Sequence, residues 1–224
     1  MLESEVYRMN TTRDRPRSRT REKILEAALS AFLERGYEGA TVREICRLAG
    51  VNVAAVHYHF QDKRGLYLAV VSGLFQRMQE RYPPDGGVSP DAPAEARLRG
   101  FVFSFLAGIL LGDGGPDLEK KSQLLARSLD AASPVLDRLI EMHIREHVGI
   151  LKGLVVELLG TDAPEETLCV QSIIGQCMHY LHNRPVAQRL APYVPRTRDD
   201  VERLTGHIVR FSLGGMHAVR GARV

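Results

Sequence analysis

The stretch Thr41 to Phe60, TVREICRLAGVNVAAVHYHF, constrains the chain more than any other. It reads as two short helices joined by a tight turn. Thr41 can cap the first helix, because its hydroxyl can accept an orphan backbone N–H two or three residues on. Val42, Ile45, Cys46 and Ala49 follow at i, i+3, i+4 and i+7, which is one helical face. Gly50 stands where the chain must reverse and a positive φ costs glycine nothing. Asn52 is a good cap for the second helix. Val53, Val56 and Phe60 are expected to form its buried stripe, leaving Ala54, Ala55, His57 and His59 off it. This is a helix-turn-helix pattern, whose second helix can enter a DNA major groove. An ordinary αα-corner has the same spacing, so the surroundings must decide.

The charge distribution bears on that choice. The 224-residue chain has a formal net charge of only +3. Residues 1–64 hold 12 Lys and Arg against 9 Asp and Glu, so the whole surplus lies in the segment carrying the two short helices. A basic reading head on a neutral body is the footprint expected of a DNA-binding protein. Hydrophobic content of 44% and charged content of 25% suit a water-soluble globular chain. The longest apolar run, Phe101 to Leu111, is too short to span a membrane. MLESEVYRMN lacks the apolar core of a secretory signal. Three cysteines, Cys46, Cys169 and Cys177, lie within helical patterns, which suits a reduced, cytoplasmic setting.

Residues 1–18 read as a flexible basic arm, with Arg15, Arg17 and Arg19 positioned for a minor groove or phosphates. A solubilising tail is the equal alternative. The first helix is expected from about Arg19 to Arg35, with Ile24, Ala27, Ala28, Ala31 and Phe32 as its stripe and Gly36 ending it. After Phe60 a fourth helix runs from about Lys63 to Tyr82, stopped by Pro83-Pro84-Asp85-Gly86-Gly87. The expected organisation is the arm at 1–18, a three-helix head at 19–64 and a helical body at 65–224.

Residues 20–70 resemble the DNA-binding domain of TetR-family transcriptional regulators. The resemblance rests on ILEAALSAFLERGYEGATVREIC, the AGV turn, Tyr58-His59-Phe60 and the following Lys63. It implies that Thr41, Tyr58 and Lys63 grip phosphates. The candidate DNA-contacting set is Thr41, Arg43, Asn52, Val53, Ala54, Ala55, His57, Tyr58, His59 and Lys63. Family members often carry a small polar set early in the recognition helix, of the Ser-x-Gly-Thr kind. Here Asn52-Val53-Ala54-Ala55 stands instead, so base contacts are expected to be fewer and more apolar, toward thymine methyls.

The body reads as all-helical. Helices are expected at about 91–111, 118–129, 134–159, 163–183 and 197–219, and the fold class is all-α with about nine to ten helices. Ser133-Pro134 is a helix start signal. Residues 184–195 form a short irregular region. The body more weakly resembles one subgroup of the same family, through Arg127, Ser133-Pro134 and SIIGQCMHYLHNRPVAQRL at 172–190. That resemblance implies a ligand cavity and a homodimer through the helices at 163–183 and 197–219. A two-fold dimer would set two recognition helices roughly 34–36 Å apart on a pseudo-palindrome.

Two side-chain groups invite other chemistry. His143-Ile144-Arg145-Glu146-His147 matches an inverted zinc-peptidase motif, so a metal-dependent hydrolase is the alternative function. A polar pair in a ligand pocket and a satisfied core pair compete with it. Cys177, His179 and His182 lie within one and a half turns and make a metal sensor conceivable, against a core Cys beside seam histidines. There is no phosphate-binding glycine loop, nucleophile elbow or dinucleotide fingerprint. The expectation is a non-enzymatic repressor, without cofactor or metal, released from its operator by a small organic ligand. Phe101, Phe105, Arg127, Met142, His143, His147, Gln176 and Tyr180 are the candidate pocket residues, chosen from apolar stripes that also carry polar groups.

Overall fold

The computed structural model describes residues 3–113, 115–129, 133, 135–160, 164–182, 189, 195 and 197–221, with side chains from Ser18 onward. Among them no strand occurs. The first helix, α1, is Glu3–Gly39, with Gly36 at φ 68° and ψ −178° breaking its regular part where the sequence places the end. Toward the N-terminus α1 runs back to Glu3, where the sequence reading has an irregular arm. The composition does not favour this extension: Thr11, Thr12 and Asp14 are weak helix formers, and Pro16 has no N–H for an interior helix position. The side chains of Arg15 and Arg17 lie outside the described residues, and Arg19 is exposed.

Helices α2 (Val42–Ala49) and α3 (Val53–Phe60) have eight residues each, too short to stand alone in water. Caps and packing hold them. Thr41 Oγ1 accepts from Glu44 N–H at 3.2 Å and Asn52 Oδ1 from Ala55 N–H at 2.9 Å. Gly50 takes the left-handed conformation, φ 66° and ψ 37°, that reverses the chain. Ile45, Cys46, Val56 and Phe60 close onto Ile24, Ala28, Ala31 and Phe32 of α1. Helix α4 (Lys63–Arg81) starts on an Asp62 cap, Oδ1 accepting from Gly65 N–H at 2.7 Å. Val53, expected inside, is 39% exposed, because the first residue after the Asn52 cap turns outward with Ala54 and His57.

The body comprises α5 (Ala94–Leu111), α6 (Leu118–Ser128), a single turn α7 (Leu136–Leu139), a π turn (Ile140–Ile144), α8 (Arg145–Leu159), α9 (Pro164–His182) and α10 (Arg198–Gly221). The helix expected as continuous over 134–159 is thus interrupted by a wide turn, Ile140–Ile144, that ends within the HxxEH motif. Pro134 and most of 184–195 lie outside the described residues. Ser133 Oγ accepts from Val135 N–H at 3.5 Å. Thr197 caps α10 reciprocally: its hydroxyl accepts from Asp200 N–H, and Asp200 Oδ2 accepts from Thr197 N–H, both at 3.1 Å. Phe211, although apolar and inside the last helix, is 66% exposed. The inward row of α10 is instead Val201, Leu204, Thr205, Ile208, Ser212 and Met216.

Two cores result. One lies among α5, α8, α9 and α10, around Leu98, Leu106, Leu151, Ile173 and Ile208. The other belongs to the head, but it does not stop at residue 64. It runs up α4 to Leu74 and takes in Leu124 and Leu125 of α6, Val135 and Leu139. An ion pair between Lys120 and Glu34 and a second cluster, Arg77 and Lys121 on Asp113, tie α6 and the α5–α6 loop to the helices below.

Candidate nucleic-acid interface and ligand cavity

The outward face of α3 carries Val53, Ala54, His57 and Tyr58, at i, i+1, i+4 and i+5, while Val56 and Phe60 anchor the opposite side. Tyr58 is 67% exposed, its ring edge-on to His59 with centroids 5.0 Å apart. His57 Nδ1 lies 2.6 Å from the Gln61 carbonyl. A carbonyl only accepts, so Nδ1 carries the proton, the ring is pinned and Nε2 is presented outward. Gln61 itself adopts φ 68°, φ positive without being glycine. Thr41 and Asn52, expected at phosphates or groove walls, are exposed but spend their side-chain oxygens on caps. Arg43 is exposed on α2, whereas Ala55 and His59 are half-buried.

Lys63 is built into the head more firmly than its sequence role suggests. Its Nζ donates to the Glu38 carbonyl at 3.2 Å and sits 4.6 Å from the Tyr37 ring centroid. It closes the turn after Gly36 and still has further N–H groups to offer. Arg21, exposed on α1, lies over the Phe60 ring at 5.4 Å.

The second feature is a cavity of about 340 Å³ in the body. One wall is α5, through Phe101, Ser104, Phe105 and Ile109. Another is the π turn and its flanks, through Leu136, Ile140, His143, Ile144 and His147. Ile174, Met178 and Leu181 of α9 close a third side. Of the eight residues read as pocket candidates, Phe101, Phe105, His143 and His147 line this space. Arg127 is exposed beside Gly36, Met142 is 51% exposed, and Gln176 instead bonds the Ser212 hydroxyl at 3.3 Å. Tyr180 packs against the body core and the His179 ring. On α9 the residues facing the cavity are spaced i, i+4 and i+7 from Ile174, a different face from the one carrying Gln176 and Tyr180.

The sequence reading named no cavity residue on the fourth helix, yet the fourth wall is Phe75, Met78, Gln79 and Tyr82 of α4. Their i, i+3, i+4 and i+7 spacing is a second stripe, set beside the Leu66-Val70-Leu74 stripe that serves the head, and it was there to be found.

The π turn explains why the HxxEH histidines face inward. In an α-helix, residues four apart drift steadily round the axis; a wider turn cancels part of that drift. Leu136, Ile140, Ile144 and Val148 therefore all stay on the cavity side. The His143 ring stacks on Phe75, centroids 5.3 Å apart and planes 11° from parallel. Its Nε2 is buried without a hydrogen-bond partner. Burial, then the neighbouring His147, lowers the pKa of His143. His147 Nδ1 donates to the His143 carbonyl at 2.8 Å. Glu146 is exposed, pointing away from both. Among the described residues no three of His, Cys, Asp and Glu gather so that they could hold a metal ion. The hydrolase alternative finds no support in this geometry. Cys177 is buried in the body core, its thiol pushed up to about 12 by burial, while His179 is exposed.

Residues 24–70 match the family described as bacterial regulatory proteins, tetR family, and residues 94–216 match the C-terminal domain of the HTH-type transcriptional dual regulator CecR. The chain belongs to the TetR family. A similar protein is the HTH-type transcriptional repressor AcnR of Corynebacterium glutamicum, 41% identical over 73 residues, or 33% of this chain and 38% of that relative's length. The regulator RutR of Escherichia coli K12 is 31% identical over 137 residues, covering 51% of this chain and 64% of RutR. Among solved structures, the regulator FadR of Bacillus subtilis in complex with stearoyl-CoA shares the fold. Its TM-score is 0.62 at 19% identity, over 87% of this chain and 98% of that one. No helix among the described residues is long and apolar enough to cross a membrane.

Proposed function

We propose that this TetR-family chain is a sequence-specific DNA-binding transcriptional regulator, acting as a homodimeric repressor released from a pseudo-palindromic operator by a small organic ligand. The observation that carries the reading is the outward face of α3. A capped, eight-residue helix anchored by Val56 and Phe60 presents His57 and Tyr58 to solvent, within the segment 1–64 that holds the chain's whole positive surplus. The repressor name of AcnR and the ligand in the FadR structure point the same way. The body supplies a mostly apolar cavity within the size range of small-molecule sites.

For the dimer, the support lies on α9 and α10. Leu168 is 61% exposed and Phe211 66%, and a Cβ added at Gly175, Gly214 or Gly215 would meet nothing within 4 Å. These leave room for close approach of a second copy. The α10 helix is steadied from behind by the Gln176–Ser212 bond.

The test is binding to the DNA upstream of the protein's own gene at about 50 and 200 mM salt, beside a Tyr58→Ala, Lys63→Ala double variant. Tight, salt-dependent binding by the parent, abolished in the variant, is the expected result. Binding to neither that region nor random DNA removes the head as a DNA reader.

A further inference from the structure

The geometry points to an uncharged, largely apolar ligand that makes one hydrogen bond, at His143 Nε2, as the molecule this cavity takes. The inference rests on the ligand-release reading and narrows it to a chemical class.

Among the described residues, the lining contains no Lys, Arg, Asp or Glu. A ligand carboxylate, phosphate or ammonium would leave water without a countercharge, which is costly. The wall is instead made of Phe, Leu, Ile, Met and Val side chains from α4, α5, α6, α9 and the α7–π turn–α8 segment. Apolar burial there rewards carbon skeleton. Of the other polar lining groups, the Tyr82 hydroxyl accepts from Arg81 at 3.2 Å, His147 Nδ1 donates to a backbone carbonyl, Gln79 Nε2 lies 3.5 Å from His147, and Ser104 is buried on α5. His143 Nε2 is different. It is buried, has no partner, and belongs to a ring held flat against Phe75. An orphaned buried nitrogen is a standing cost that a ligand hydroxyl, amide or carbonyl removes. A neutral imidazole can serve as donor or acceptor by choice of tautomer, so the site selects for one polar group rather than for its direction.

The experiment uses the full chain and N-phenyl-1-naphthylamine, an uncharged probe whose fluorescence rises in apolar surroundings. Competitors share one ten-carbon tail and differ only in headgroup: 1-decanol, decanoate and decylammonium. The probe is expected to bind saturably, one per chain. Displacement by 1-decanol should need at least tenfold less competitor than displacement by either ion. His143→Phe, which keeps the ring stack and deletes both nitrogens, should weaken 1-decanol about tenfold. Its thermal unfolding at pH 7.5 serves as the folding control. If that variant unfolds, His143→Gln, which restores a donor and acceptor, takes its place and should bind the alcohol within a few-fold of the parent. No saturable probe binding, an ion competing as well as the alcohol, or a folded His143→Phe chain with parental alcohol affinity would each overturn the assignment. The same compounds are then added to the operator complex. Alcohol that binds the cavity without loosening DNA leaves the ligand class standing and overturns the release reading alone.

Discussion

His143 carries a consequence for acid stability. Burial and then the nearby His147 hold its pKa below the ordinary imidazole value of about 6.5. In the unfolded chain that restraint is gone. The folded state therefore takes up a proton less readily, and stability from this group is complete above about pH 6.5 and is lost as pH falls below it, until the depressed folded value is passed. His143→Phe removes the titration while keeping the stack on Phe75. Between pH 7.5 and 5 the parent should lose more in Tm than the variant; parallel Tm-against-pH curves would show that the ring protonates freely in the folded chain. Lys63 makes a second case at this scale. With one N–H on the Glu38 carbonyl and its charge over Tyr37, its ammonium is fixed at the head surface rather than floating on a long stem. Lys63→Ala should weaken binding to operator and random DNA alike and reduce the salt slope by about one, as loss of a single phosphate contact does. A titration at two salt concentrations with an unchanged slope would remove Lys63 from the phosphate contacts.

At the scale of elements, the head depends on two glycines for different reasons. Gly50 has a positive φ but open space around it, so Gly50→Ala should cost only the strain of a left-handed alanine, about 1 kcal/mol. Gly65 sits in the first turn of α4, where an added Cβ would lie 2.1 Å from the Phe60 carbonyl oxygen. The backbone that ends the recognition helix would have to move, so Gly65→Ala should cost more, about 3 kcal/mol. Denaturant unfolding of the two variants checks the order, and equal losses would mean the α3–α4 junction yields easily. These elements were legible in the sequence because caps, glycines and 3.6-residue periodicity are local signals: Thr41, Gly50, Asn52 and Gly36 all stand where they were read. The cavity was less legible. Phe101 and His143 were found because they share stripes with polar groups, but Arg127 and Met142 stand exposed, because a stripe does not say where its edge meets solvent. The π turn has no residue signature of its own, and it is what keeps Leu136, Ile140, Ile144 and Val148 together on the cavity side.

At the scale of the molecule, cavity and head share a wall. Leu125 belongs to the head core and also lines the cavity, and Met78 packs on that core while facing the same space. A ligand that repositions α4 or α6 therefore acts on the recognition helix through packed side chains, and the coupling is limited by its differential affinity for the two arrangements. In the proposed dimer two heads must also be held at a fixed spacing on one operator, and the outer face of α10 is the surface proposed to hold them. Phe211 is 66% exposed there, and it lies outside both cores. Phe211→Asp puts a charge where a second copy is proposed to pack, and burying that charge unpaired in an interface is costly. Because neither core loses a buried group, thermal unfolding of the variant at low concentration should match that of a parent diluted to monomer. Sedimentation should show half the parental mass. Operator affinity should fall at least tenfold, since each half-site is then bound without the effective concentration supplied by the other. Random-DNA binding per chain should change little, because the phosphate-facing surface of the head is untouched. A Phe211→Asp chain that still sediments as a dimer and binds the operator with parental affinity would move the interface off this face of α10.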